Sequence, residues 1–135
     1  MKKVFLDTNV VIDLLDKREP FWNDAVTLFT LAYKKNIMLY VSPLTYGTAA
    51  YLLRKHGKAE LKLLLENLRR LSKVTRVSDR EVDNALASSF DDYEDALQYY
   101  SAMRERVDVI VTRNKKDFIL SNIPVLTPDE FLMTR

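Results

Sequence analysis

Short apolar runs alternate along this chain with longer stretches whose apolar residues recur at helical spacing. Val4-Phe5-Leu6, Ile37 to Val41, Val74 to Val77, Val107 to Thr112 and Pro124 to Leu126 are brief, rich in β-branched or aromatic residues, and bounded by charge or proline, so each reads as a strand. Between them lie helical patterns. Asp7 ends the first strand and Asn9 can cap the helix that follows. Pro20 can open a helix over Phe21 to Lys35, with Ala25, Val26, Leu28, Phe29, Leu31, Ala32 and Tyr33 on a broad apolar face and Phe21, Trp22 and Phe29 as core aromatics. Pro43 stops the second strand, Thr45 can cap a helix to His56, and Gly57 closes it. Lys58 to Ser72 sets Leu61, Leu64, Leu65, Leu68 and Leu71 on one stripe, a face that packs on a sheet. Asp79 can cap a helix to about Ser89, Ala96 to Arg106 forms the next, and Pro128 starts a terminal one.

Strands alternating with helices predict an α/β fold, with a central parallel sheet of four to five strands and helices on both faces joined by right-handed crossovers. No linker, repeat or low-complexity tract interrupts the pattern. One domain over residues 1–135 is therefore expected, a length sufficient for a real core.

Composition narrows the chemistry more than it names it. The chain has no cysteine, which excludes disulfides, thiolate metal sites and a cysteine nucleophile. Two glycines, Gly47 and Gly57, cannot build a phosphate-cradling glycine loop. The one histidine, His56, sits at a helix end, so serine–histidine catalysis has little to work with. A net charge of +2 does not by itself mark a polyanion binder. No apolar run approaches the roughly 20 residues that cross a bilayer and no signal peptide precedes Val4, so a soluble, cytoplasmic protein with no membrane contact is expected.

The acidic residues carry the functional argument. In a doubly wound sheet, strand C-termini and helix N-termini share one edge, and ligands bind there. Asp7 follows strand one. Asn114 and Asp117 follow strand four, whose last residue is Thr112, and Asp92 and Asp95 open the helix leading into that strand. All should converge on this edge. Clustered carboxylates repel unless a cation neutralises them. An oxygen-only donor set favours Mg2+ or Mn2+ over zinc, and such an ion can activate water beside a phosphoryl group. Phosphodiester hydrolysis is the chemistry this suggests. Arg113, Lys115 and Lys116 stand where they could steer a phosphate backbone. Asp91 and Glu94 read instead as a solvated, acidic first turn.

The segments Phe5-Leu6-Asp7-Thr8-Asn9, Ser42-Pro43-Leu44-Thr45, Asp92-Tyr93-Glu94-Asp95-Ala96 and Val111 to Phe118, in that order from about Lys3 to Phe131, resemble the PIN domain of VapC-type toxins. The resemblance implies a three-layer α/β/α sandwich, Mg2+- or Mn2+-dependent cleavage of RNA, frequent homodimers, and a small antitoxin that blocks the site. Carried over by position, Asp7, Asp95 and Asp117 are the catalytic acids and, with Asp92, the metal-binding ones. Asn9, Thr48, Thr112 and Asn114 are supporting polar groups, and Arg113 is the phosphate contact. The chain departs from the pattern at Thr48, where the family usually has a glutamate, and so resembles a subgroup with fewer carboxylates. A catalytically weakened, nucleic-acid-binding PIN-like protein is the alternative expectation. A phosphotransferase with Asp7 as nucleophile is disfavoured, because Asn9 stands where its second aspartate belongs.

Overall fold

The computed structural model describes residues 1–134. Its sheet has five parallel strands in the order β3-β2-β1-β4-β5. They are β1 (Lys2–Leu6), β2 (Ile37–Val41), β3 (Ser72–Val74), β4 (Val109–Val111) and β5 (Val125–Leu126). The helices are α1 (Thr8–Leu15), α2 (Trp22–Tyr33), α3 (Pro43–Leu52), α4 (Lys58–Leu71), α5 (Asp79–Ala87), α6 (Tyr93–Arg104) and α7 (Pro128–Thr134).

The central strands are apolar where both of their faces are covered, over Val4–Leu6, Ile37–Val41 and Val109–Val111, and the two-residue period sorts their side chains between two cores. Val4, Leu6, Ile37, Leu39, Val41, Val109 and Val111 face one layer, where they meet Val11 and Leu15 of α1, Leu28 and Phe29 of α2, Ala49 of α3, Leu68 of α4 and Phe131 of α7. Phe5, Tyr40 and Ile110 face the other, against Tyr99 and Ala102 of α6 and against Phe118. This is the expected α/β/α sandwich. Among the described residues, no helix is long and apolar enough to cross a membrane.

The winding direction reverses at β1. The chain moves from β1 to β2 and β3 on one side, then returns to place β4 on the other. The crevice between the ends of β1 and β4 is thus the topological switch point, where an open parallel sheet leaves room for a ligand. Asp7 sits there as the last rung, its N–H donating to the Val111 carbonyl at 3.0 Å.

Several local expectations are corrected. Helix α4 runs directly into β3, which occupies Ser72–Val74 rather than Val74–Val77, because pairing with Leu39 to Val41 sets the register. Asp7, not Asn9, caps α1. Ser42 caps α3, its hydroxyl accepting from the Leu44 N–H at 3.1 Å, while Thr45 lies buried inside the helix. That helix ends at Leu52 and a 3-10 turn over Arg54–His56 follows, closed by Gly57 at φ +87°. Helix α6 begins at Tyr93 rather than Ala96, with Asp92 as its cap. Pro20 does not open α2, which starts at Trp22. Phe21 is 39% exposed rather than core. The leucine stripe of α4 does join the core, but only Leu68 is fully buried, since the helix packs at the sheet's margin.

Candidate active site

Asp7 is the centre of the crevice and is only 5% exposed. Its position follows from local sequence: an apolar strand ends at Leu6, and the aspartate caps the helix that starts at Thr8. Four donors reach its carboxylate. Oδ1 accepts from the Thr8 N–H at 2.8 Å and from Gln98 Nε2 at 3.1 Å. Oδ2 accepts from Thr112 Oγ1 at 2.8 Å and from Asn9 Nδ2 at 3.2 Å. Capping and a site position are therefore one arrangement, not alternatives. Burial pushes the Asp7 carboxyl above its ordinary range; the bonds from Thr112, Thr8 and Gln98 oppose this, and the Asp117 charge adds to it.

Asp95 projects into the same crevice from the first turn of α6. Burial raises its carboxyl to about 7, reinforced by the charges of Asp92, Asp7, Asp117 and Glu94. Asp117 comes from the 3-10 turn Lys115–Phe118, anchored by the buried Phe118 and oriented by Asn114, whose Nδ2 donates to Oδ2 at 2.9 Å. Asp92 accepts the Asp95 N–H at 2.9 Å, so it caps α6 while standing at the rim. The cleft has a volume of about 370 Å3, and Asp7, Asn9, Asp92, Asp95 and Asp117 all line it. A second hollow of about 490 Å3, floored by Phe90, Ile119 and Leu120, opens beside it and shares Asp92, Asp95 and Asp117.

The supporting residues divide. Thr112 Oγ1 donates to Asp7 and also receives the Asn114 N–H at 3.1 Å, tying the β4 terminus to the site. Thr48 is outside it: half-buried on α3, it does not line the cleft. From the same helix Thr45 reaches α1, its hydroxyl 2.7 Å from that of Thr8. Arg113 also turns away. Its Nε and Nη2 donate to the two oxygens of buried Asp13 at 2.6 and 3.2 Å, and its guanidinium stacks on Phe21 with 4.0 Å to the ring centroid. A strand-end arginine next to a buried carboxylate takes the bidentate pair before it reaches for solvent.

Four lining groups were not legible as such. Glu94, read as solvated, lines the cleft, and its carboxyl is raised by burial and by Asp92 and Asp7. Arg18 enters from the turn after α1. Thr8, between the strand-end aspartate and Asn9, lines it as well. Gln98 gave one signal in advance: it is the polar residue in an otherwise apolar run, Ala96 to Tyr99, three positions after Asp95 and hence on the same helix face.

Among the described residues, no three acidic or histidine groups stand close enough to form a ready cage for an ion. The carboxylates do share one cleft, and burial together with the neighbouring acids raises the carboxyls of Asp7, Glu94 and Asp95. An oxygen-only, acid-rich donor set of this kind suits a hard divalent cation.

An α/β sandwich with a buried aspartate at its switch point, faced by further acids from α6 and the turn after β4, defines a class of acid-lined α/β domains. The comparisons make this specific. A PIN domain family model matches residues 3–116, and the chain belongs to the PIN domain family. Ribonuclease VapC1 of Aquifex aeolicus is 29% identical over 135 residues, covering 96% of this chain and 93% of that protein. Among solved structures, a toxin–antitoxin complex from Klebsiella pneumoniae superposes with a TM-score of 0.70 at 22% identity, over 93% of this chain and 97% of that one. VapBC2 from Rickettsia felis, bound to a promoter DNA fragment, gives 0.65 at 18% identity, over 92% and 96%.

Proposed function

We propose that the protein is a divalent-cation-dependent endoribonuclease of the VapC type, acting as the toxin of a toxin–antitoxin pair. The observation that carries this reading is the buried Asp7, braced by four donors and faced by Asp95, whose carboxyl is pushed up to about 7 by burial and by the acids around it. The likeness to Ribonuclease VapC1 over nearly the full length of both chains supports RNA as substrate.

Asp7, Asp95 and Asp117 would hold Mg2+ or Mn2+, with Asp92 and Glu94 at the rim. The bound ion would supply an activated water and neutralise charge on the phosphoryl oxygens. The chain's own residues do the rest. Thr112 and Asn9 hold Asp7 Oδ2, and Asn114 holds Asp117, so the acids are oriented before an ion arrives. Arg18, rather than Arg113, is the guanidinium able to meet a phosphate at the cleft. The hollow beside the acids, lined by Phe90, Ile119 and Leu120 and by Lys116, offers room for a nucleotide flanking the scissile bond.

The Klebsiella and Rickettsia neighbours come from toxin–antitoxin assemblies, which supports a small antitoxin partner here. A homodimer, a single PIN-like domain and action on cytoplasmic RNA belong to the same reading.

The test is cleavage of structured RNAs by the purified protein, freed of any partner, in Mn2+ and in Mg2+, beside Asp7→Asn. Metal-dependent cutting that disappears in the variant is the expected result. Folded protein that cuts nothing in either metal would favour the alternative, a PIN-like binding protein without turnover. That second reading draws on one observation, that the uncharged Thr48 contributes nothing to the cleft.

A further inference from the structure

Gln98 is the polar side chain of this cleft that is only half used. It is 1% exposed, and its Nε2 donates to Asp7 Oδ1 at 3.1 Å. Its Oε1, also buried, has no hydrogen-bond partner. A buried amide oxygen with no donor destabilises a fold, and an apolar side chain of similar length would avoid that cost. The opposite orientation is no remedy, because it would set two oxygens 3.1 Å apart. Gln98 therefore makes physical sense only if some state of the protein uses Oε1.

The Asp7 carboxylate indicates which state. Its four donors crowd the acceptor sites of a carboxylate, so a cation joins it most readily when one of them withdraws. The Thr8 N–H is fixed at the start of α1. Thr112 is held in the β4 terminus by the Asn114 N–H, and the Asn9 amide is held by the Arg113 N–H, which donates to its Oδ1 at 3.3 Å. Gln98 can withdraw most simply: rotation of its terminal amide by a half-turn exchanges Nε2 for Oε1 at nearly constant shape. That motion removes a donor from Asp7 and puts a neutral, hard oxygen in its place. Gln98 stands three residues after Asp95 on the same face of α6, so the oxygen would join Asp95 from one helix.

We propose that Gln98 is an amide toggle of the cation site: its Nε2 braces Asp7 in the cation-free protein, and when a divalent cation binds the amide turns over so that Oε1 faces the ion. It then supplies a neutral oxygen on the cleft where Thr48 supplies none. This inference rests on the metal-dependent reading above.

The test has two arms that do not use RNA. The side-chain NH2 resonances of Gln98 are followed by NMR as Mg2+ is added, and Mn2+ affinity is measured by calorimetry for wild type, Gln98→Met, Gln98→Glu and Asp7→Asn. The expected result is a Gln98 NH2 shift that saturates with Mg2+ binding. Alongside it, Gln98→Met should bind Mn2+ about tenfold more weakly. Gln98→Glu should bind Mn2+ more tightly while melting at a lower temperature without metal, since it sets a carboxylate against Asp7. Unmoved Gln98 resonances in Mg2+-bound protein, or wild-type Mn2+ affinity in Gln98→Met, would overturn the toggle. If Asp7→Asn loses the cation while Gln98→Met keeps it, only the toggle falls. If wild type binds no Mn2+, or Asp7→Asn binds it equally well, the metal-dependent reading falls and the toggle with it.

Discussion

Asp95 concentrates the electrostatic tension of the cleft, and its titration should be visible in the cation-free protein. Its folded pKa of about 7 lies above the unfolded value of 3.8, so between these limits the folded state binds more protons. Stability is then fully present below the unfolded pKa and falls as pH rises toward about 7. Melting temperatures recorded in a chelator from pH 4.5 to 8.5 should show this decline, and Asp95→Asn should flatten it and melt higher than wild type at pH 8. A second expectation concerns Arg113. Asp13 is 1% exposed, and the bidentate pair with Arg113 is what makes its burial tolerable. Arg113→Met should cost about 3–5 kcal/mol in denaturant unfolding, because it strands a buried charge. Had Arg113 served only a phosphate, the same change would leave stability intact and lower RNA affinity alone.

At the scale of elements, each acid is delivered by a device that is itself testable. Asp117 rides on a single 3-10 turn held by Phe118, which is 2% exposed between the sheet and α6. Phe118→Ala should cost about 3–5 kcal/mol and loosen the turn, so that cation affinity falls with stability rather than independently of it. The α5–α6 pair is set by Glu81, buried to 1% and accepting from the Ser78 N–H and hydroxyl at 2.8 and 3.0 Å and from Arg104 at 2.9 Å. Burial pushes the Glu81 carboxyl up, but the Ser78 bonds and Arg104 outweigh it and hold the group below its ordinary range. Its stabilisation is present above the unfolded pKa near 4.5 and is lost as pH falls through the lower folded value. Glu81→Gln should therefore melt lower than wild type at pH 7 and converge with it in acid. Part of this was legible beforehand: the leucines of α4 sit on one helical stripe. The cap of α5 was not, since Ser78, in a capping box with Glu81, takes the place expected of Asp79. The start of β3 was not legible, because nothing local distinguishes the end of α4 from a strand until Leu39 to Val41 select a partner.

Across the whole molecule, the site belongs to no single element. Asp7 comes from β1, Asp95 from α6 and Asp117 from beyond β4, separated by more than a hundred residues. A cation that binds only the folded chain must therefore stabilise the global fold. At a free concentration about 100 times its dissociation constant the gain is about 2.7 kcal/mol. Thermal melts in rising Mn2+ should move upward accordingly, and Asp7→Asn should abolish the shift. The same cation should cancel the Asp95-dependent loss of stability near neutrality, since it takes the place of the proton that Asp95 otherwise binds.

The alternation of apolar runs and helical stripes determined, without a structure, that the sheet would be parallel and covered on both sides, because an all-apolar strand has no face to give to water. The sequence likewise placed Asp7, Asp92, Asp95, Asn114 and Asp117 at one sheet edge, since the end of a strand and the start of a helix must share it. Which side chains then meet was decided by tertiary packing alone. Arg113 goes to Asp13 instead of the cleft, Thr45 of α3 meets Thr8 of α1, and Gln98 reaches Asp7 across 91 positions. Each is a choice between nearby partners that differ by a few ångströms, and sequence spacing carries no information at that distance.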